Sequence, residues 1–385
     1  MDALVTDTHL RSSTAGVRAL GRAGLQVLAA SPLRHAAGRW SRMTAARALT
    51  PDARTDPERF AERVAQLADR HGPLIAYPGR EESLEVLLEA WERLPADVLP
   101  YPGPEPVQRL RDKQGLAELA ARAGLRGPRV LTTGDGPGLL ADSPPTPCIV
   151  KPARPGLTLA SARHAETALE LSAVLEGLPP DEPLLAQEVV GGPLIILGIV
   201  LNREGDVSAG FQHVATRTWP RTAGAGAVGV SVPLDHGIVE KARELLRATG
   251  YWGLAQFDLL AGAGEPALID VNPRFYDSLP LALACGVNLP ATWHDVARGV
   301  PTPPQVAYPS GVRYRWLEAD LHAALTGSPA VLWSGARPRV GAMWAADDVP
   351  GSVLLAVDTV VAWMGRRLSG VEHGLRPSAR EGPSN

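Results

Sequence analysis

The chain is short of lysine, asparagine and cysteine, and it lacks a basic surplus and long apolar runs. Two cysteines, Cys148 and Cys285, exclude a disulfide framework and any multi-cysteine zinc or iron–sulfur site. Both lie in apolar surroundings and read as buried structural residues. Lys+Arg number 38 against 41 Asp+Glu, a net charge of −3, which argues against the basic excess of a nucleic-acid binder. The strongest apolar runs, 193–201 and 353–364, fall short of the ~20 residues of a membrane span, and Asp358 interrupts the second. The N-terminus shows no basic segment followed by an apolar one, so no secretory signal is expected and the expected location is cytoplasmic. Of the basic residues only Lys113, Lys151 and Lys241 are lysine, and asparagine occurs at 202, 272, 288 and 385. A codon bias toward arginine, alanine, glycine and proline explains the scarcity. It leaves open whether the surviving lysines stand where a compact ammonium is needed.

What is present is globular. Hydrophobic residues make up 45% of 385, and that length suits two or three domains. Residues 2–7 read as a strand, a helix follows around Val17, Leu20 and Ala23, and LQVLAA (25–30) is the next strand. Helix 57–70, strand 73–78 and helix 81–93 repeat the alternation, which predicts a parallel sheet with helices on both faces. YPGPEP (101–106) marks a boundary. Beyond it lie a helical pattern over 106–124, a Gly/Pro/Asp/Thr-rich stretch at 132–147, the short strand CIVKPA (148–153) and a helix at 164–177. Strand runs at 184–190, 194–202 and 207–216 precede a glycine-rich loop at 221–229. Helix 237–248 leads to strands 254–260 and 266–271, then helices near 278–285 and 289–298. Strands in runs predict α+β structure with antiparallel pairing. Prolines at 301–304 mark another boundary.

Four features carry chemistry. Asp270, Asn272 and Arg274 fall at i, i+2, i+4, so on a strand they share one face. A short glycine turn makes Asp258 a neighbour of Asp270. Two carboxylates and an amide oxygen are hard ligands suited to Mg²⁺, and Arg274 offers a fork for phosphate; the alternative is a solvated hairpin. Lys151 ends an apolar strand, where an unpaired ammonium is costly and a phosphate partner solves the problem. Lys113 starts a helix and is either a second phosphate ligand or a solvated residue, whereas Lys241 reads as an exposed partner of Glu244 at i+3. In AQEVVGG (186–192) the backbone and the two valines could read and cover an adenine, or form an ordinary hairpin. Arg217 and Arg221, around Trp219-Pro220 and ahead of the glycine loop, suit an anionic group or a plain surface loop.

Taken in order, a βαβ domain, D-K at a helix start, I-V-K-P, Q-E-x-x-G, R-x-W-P with a glycine loop, F-D and D-V-N-P-R resemble the ATP-grasp superfamily over about residues 1–300. NPRFYDSLPLALACGVNLP is similar to its carboxylate–amine-ligase-like branch, relatives of D-alanine–D-alanine ligase and biotin carboxylase. The resemblance implies an α/β and α+β chain: a Rossmann-like pre-ATP-grasp βαβ domain (1–104), then a two-subdomain ATP-grasp domain (105–300). In the latter the lid is about 113–186 and the catalytic subdomain about 187–300. A C-terminal extension (301–373) and a disordered tail (374–385) complete the division. It implies that Lys113 and Lys151 hold ATP phosphates, that Gln187, Glu188, Val189 and Val190 form the adenine hinge, and that Asp258, Asp270 and Asn272 bind Mg²⁺, with Mn²⁺ as the alternative ion. Arg274 and Arg217 are then the catalytic arginines.

The implied reaction phosphorylates a carboxylate with ATP, and an amine attacks the acyl-phosphate to give an amide, ADP and phosphate. Both substrates are small molecules, with no nucleic acid and no membrane involved, and homodimers occur in the family. The alternatives are another acceptor for the acyl-phosphate, or a regulatory protein that binds ATP without turnover. The chain departs from the family in its phosphate loop, ARPGLTLASA, where Gly156, Thr158 and Ser161 are the candidates, and in Asp270 where glutamate is more frequent. Histidines 9, 213 and 236 read as structural or solvated, with His9 placed to line a substrate cleft.

Overall fold

The computed structural model describes residues 1–136, 138–141, 144–153, 162–176, 178–219, 224–262, 265–325, 329–332 and 340–368. The phosphate-loop candidates Gly156, Thr158 and Ser161, together with Arg221 and the tail 374–385, lie outside the described residues.

Three sheets form in chain order. The first holds β1 (Ala3–Val5), β2 (Val27–Ser31), β3 (Thr44–Leu49) and β4 (Ile75–Tyr77), in the order β3-β2-β1-β4. All its pairings are parallel, as the βαβ alternation predicts. The strands β1, β2 and β4 are fully buried, which is why they read as unbroken apolar runs. Helices Arg11–Arg22 and Pro57–His71 connect β1 to β2 and β3 to β4, the 3-10 helix Ala37–Trp40 lies between β2 and β3, and helix Glu81–Glu89 follows β4.

The second sheet is β5 (Val130–Asp135), β6 (Cys148–Pro152), β7 (Arg163–Ala165) and β8 (Pro183–Glu188), ordered β5-β8-β6-β7 and antiparallel. It closes a small core around Cys148, Val150, Leu171 and Leu184. The third has seven strands: β9 (Leu194–Leu201), β10 (Val207–Trp219), β11 (Ala225–Val232), β12 (Gly253–Leu260), β13 (Ala267–Asn272), β14 (Arg313–Arg315) and β15 (Val340–Gly341). Their order is β13-β12-β9-β10-β11-β14-β15. β9 is wholly buried and antiparallel to both neighbours.

Several expectations are corrected. The helical stretch 106–124 is two helices, Pro104–Arg111 and Lys113–Arg122, parted at Asp112, whose backbone is extended. The glycine-rich stretch expected as a loop over 221–229 is strand from Ala225 on, because Val228 pairs with both Arg217 and Arg315. The stretch 132–147 begins inside β5, and 164–177 contains the end of β7 before helix Ala168–Leu175. Among the described residues no helix is long and apolar enough to cross a membrane.

Candidate functional site

A cavity of about 1540 Å³ lies where the three sheets meet, and nearly every residue singled out by the sequence lines it. Its floor is the β12–β13 hairpin. There Asp258 stands directly opposite Asp270, and Gln256 opposite Asn272. Period-two alternation brings Gln256, Asp258, Asp270 and Asn272 onto one face. Gln256 Nε2 donates to Asp258 Oδ1 at 2.6 Å, and Asn272 Nδ2 donates to Gln256 Oε1 at 3.0 Å. Burial, and then the facing Asp270 carboxylate, push Asp258 up to about 7. Two carboxylates packed this closely are a charge excess that a divalent cation would relieve. Their oxygen donors with the Asn272 amide fit Mg²⁺. Among the described residues no three His, Cys, Asp or Glu side chains cluster for a metal, so such an ion would take its remaining ligands from water and substrate.

Arg274 continues the same face past the strand end. Its Nη2 donates to Asn272 Oδ1 at 3.2 Å and its Nε to Glu81 Oε2 at 3.0 Å. Burial opposes its charge, but Glu81 and then Asp270 more than offset this and strengthen its hold on the proton. Glu81 begins the helix after β4 and bridges Arg274 to Arg111, whose Nε also donates to it. Burial works against its charge too, yet the two arginines hold its carboxyl below the ordinary value. The N-terminal sheet thereby contributes directly to the cavity.

The opposite wall comes from β6. Cys148 and Val150 turn into the small core, so Ile149 and Lys151 turn to the cavity. Lys151 is 8% exposed, and its Nζ donates to the Ile269 carbonyl at 3.3 Å. Burial lowers its pKa to about 8, Asp270 opposes the shift, and Lys113 adds to it. The two lysines are therefore close enough to repel, and an anion between them would relieve the repulsion. Lys241 lies elsewhere. It donates to Glu265, not to the expected Glu244.

The strand β8 ends at Glu188. Gln187 is buried, while the Glu188 carboxylate accepts from Arg126 and from the Arg129 amide. Val189 and Val190 follow at the cavity wall. The chain then turns at Gly192 (φ +119°), where a Cβ would sit 2.1 Å from the Ala261 carbonyl oxygen, so the corner requires glycine. Any adenine recognition here would fall to backbone groups, because the Glu188 side chain is engaged elsewhere.

Arg217 lines the cavity from β10 beside a register shift. It forms an ion pair with the fully buried Asp320, which also binds Arg315. The C-terminal segment thus holds this arginine in place. His9 lines the cavity as expected, its Nδ1 3.1 Å from Ser31 Oγ. His213 is buried against Ser278 and pushed down to about 3 by burial, and His236 is exposed. Sequence reading missed Gln256, Glu81, Arg111 and Asp320. Gln256 was findable, two residues before Asp258 on the same strand. The others come from distant segments and carry no local signal.

Residues 206–320 match a family described as ATP-grasp in the biosynthetic pathway with Ter operon. No curated protein matches the chain. Solved structures do. An L-amino acid ligase from Bacillus licheniformis superposes with a TM-score of 0.58 at 17% identity, over 77% of this chain and 74% of that one. The N5-carboxyaminoimidazole ribonucleotide synthetase from Thermus thermophilus gives 0.59 at 17%, over 81% of each. A biotin carboxylase from Campylobacter jejuni, solved as a β,γ-ATP complex, gives 0.59 at 15%, over 81% and 74%.

Proposed function

The chain has the ATP-grasp fold, and on that premise we propose that it is an ATP-dependent ligase joining a carboxylate to an amine through an acyl-phosphate. The observation that carries the reading is the convergence in one cavity of Lys151, Lys113, the facing pair Asp258–Asp270, Asn272 and Arg274. In this reading Lys113 and Lys151 hold the ATP phosphates, and backbone groups of Gln187 to Val190 meet the adenine. Asp258, Asp270 and Asn272 would hold Mg²⁺, which when bound neutralises phosphate charge and orients it.

The chain's own residues do the rest. A nearby phosphate restores the full charge that burial withdraws from Lys151. Arg274, held by Glu81 and Asn272, keeps its guanidinium fixed where negative charge grows on the transferring phosphoryl group. Arg217, held by Asp320, faces the same space for the carboxylate or the phosphate. Carboxylate oxygen attacks the γ-phosphorus and ADP leaves. The amine nitrogen then forms a bond to the acyl carbon, and phosphate departs with the C–O electron pair as the nitrogen releases a proton. A cavity walled by three sheets limits competing attack by water.

ADP release, measured over paired carboxylates and amines from an amino-acid library, tests this. We expect turnover that depends on both substrates, is lost in Lys151→Ala and is unchanged in Lys241→Ala. Near-normal activity of Lys151→Ala would remove the site assignment.

A further inference from the structure

Residues 8–51 contain seven arginines and no acidic residue. Arg11, Arg18 and Arg22 are answered from far along the chain by Asp277, Asp348 and Asp347. Arg34, Arg39, Arg42 and Arg47 have no carboxylate partner among the described residues. These four sit on the short 3-10 helix Ala37–Trp40, its flanking turns and β3, the open edge of the first sheet.

The group is ordered by its own bonds. Trp40 is 45% exposed, and its Nε1 donates to the Arg34 carbonyl at 3.0 Å. The Arg47 guanidinium lies 4.0 Å from the Trp40 ring centre, and Arg47 Nε donates to the Arg39 carbonyl at 2.6 Å. Arg39 Nη1 donates to the carbonyls of Leu33 and Arg34. Burial, and then the charges of Arg47 and Arg34, weaken Arg39's hold on its proton, so the guanidiniums are close enough to repel. Arg34, Arg42 and Arg47 are exposed. On a chain of net charge −3, a positive patch with which no carboxylate among the described residues forms an ion pair is an electrostatic asymmetry.

Its neighbourhood gives it a role. Leu33 and His35, on either side of Arg34, line the cavity. We propose that this face is a docking surface for an acidic polypeptide segment, lying beside the mouth of the cavity. The guanidiniums of Arg39 and Arg47, held by these contacts, can donate to carboxylates in a planar fork at low entropy cost. Nucleic acid fits less well, because the one aromatic ring is already covered by Arg47 and offers no platform for successive bases. An anionic membrane is the competing occupant, since helix Val349–Leu368, packed on the same 3-10 helix, exposes Val353, Val357 and Val360. Those side chains are short, and no large apolar or aromatic group beyond Leu33 and Trp40 is exposed in residues 8–51. The inference stands independently of the ligase reading, since docking needs no turnover.

The test is fluorescence anisotropy of the full chain with a labelled oligo-glutamate peptide of about twelve residues, long enough to span several guanidiniums. We expect saturable binding that weakens at least about tenfold between about 50 and about 200 mM salt. The same loss is expected in Arg34→Gln/Arg42→Gln/Arg47→Gln with an unchanged melting curve. An equal change on another surface, Arg59→Gln/Arg109→Gln/Arg122→Gln, should leave binding intact. No binding at low salt, equal loss in both triple variants, or tighter binding of an oligothymidine or of phosphatidylserine vesicles would overturn the proposal.

Discussion

At the scale of single residues, the site is a set of ionisable groups held away from their ordinary behaviour. Lys151 is the clearest. In the ligand-free chain burial brings it down to about 8 from an ordinary 10.5. Between those values the unfolded chain holds a proton that the folded chain has released, so stability rises with pH through this window. Lys151→Met keeps the side-chain length and removes the titration. The melting temperature of the native chain should therefore climb, relative to that variant, from about pH 8 to about pH 9.5. Parallel curves would show that Lys151 keeps its ordinary proton affinity. This scale was also the most legible in the sequence. Two of three lysines and one of four asparagines stand in the cavity wall, because alternation along a strand is a local property. Glu81 and Asp320 were not legible, since each acts on an arginine far away in sequence.

At the scale of elements, the site depends on the β8–β9 corner and a hairpin. The β12–β13 hairpin was readable from its turn and alternation. Of the strands that escaped notice, β3, β5, β7 and β15 are sheet edges, whereas β11 and β14 lie inside the third sheet, masked by glycine in AGAVGVSV and by a length of three residues. An edge strand is paired on one side and half exposed, so it shows little apolar alternation, and TAARAL and VLTTGD carry modest strand preference. The β8–β9 corner gives a paired test. Gly192→Ala forces a left-handed backbone onto alanine and sets its Cβ against the Ala261 carbonyl, whereas a Cβ at Gly191 meets nothing within 4 Å. Urea melts should show a loss of about 2 kcal/mol or more for Gly192→Ala and little change for Gly191→Ala. Equal losses would mean that the corner does not constrain the backbone.

At the scale of the whole molecule, the C-terminal segment is part of the structure that builds the cavity. Its strands β14 and β15 extend the third sheet, and helix Val349–Leu368 packs against the N-terminal sheet's 3-10 helix. Asp348 anchors this contact. It is fully buried and accepts from Arg18 Nε at 2.7 Å, Ser41 Oγ at 2.8 Å and the Arg42 amide at 2.9 Å. Asp348→Ala leaves the Arg18 charge buried and unpaired, which costs about 3–5 kcal/mol. Arg18→Met/Asp348→Leu should recover part of that loss, because an apolar pair removes the stranded charge but leaves the Ser41 hydroxyl and the Arg42 amide without their acceptor. A double variant as unstable as the single one would assign the effect to lost packing instead. The sequence announced parallel and antiparallel halves through its rhythm of strands and helices. It could not announce that residues beyond 301 close back onto residues 18–42, a contact between segments separated by most of the chain.

The claim on which all three scales converge is that one cavity binds ATP through Lys113 and Lys151 together with a divalent ion at Asp258 and Asp270. Isothermal titration of the full chain with ATP, with and without Mg²⁺, tests it most directly. The account predicts saturable ATP binding that Mg²⁺ strengthens, weakened at least about tenfold by Lys151→Ala and made insensitive to Mg²⁺ by Asp258→Asn/Asp270→Asn. Absence of ATP binding to the folded chain, or binding that neither variant alters, would contradict it.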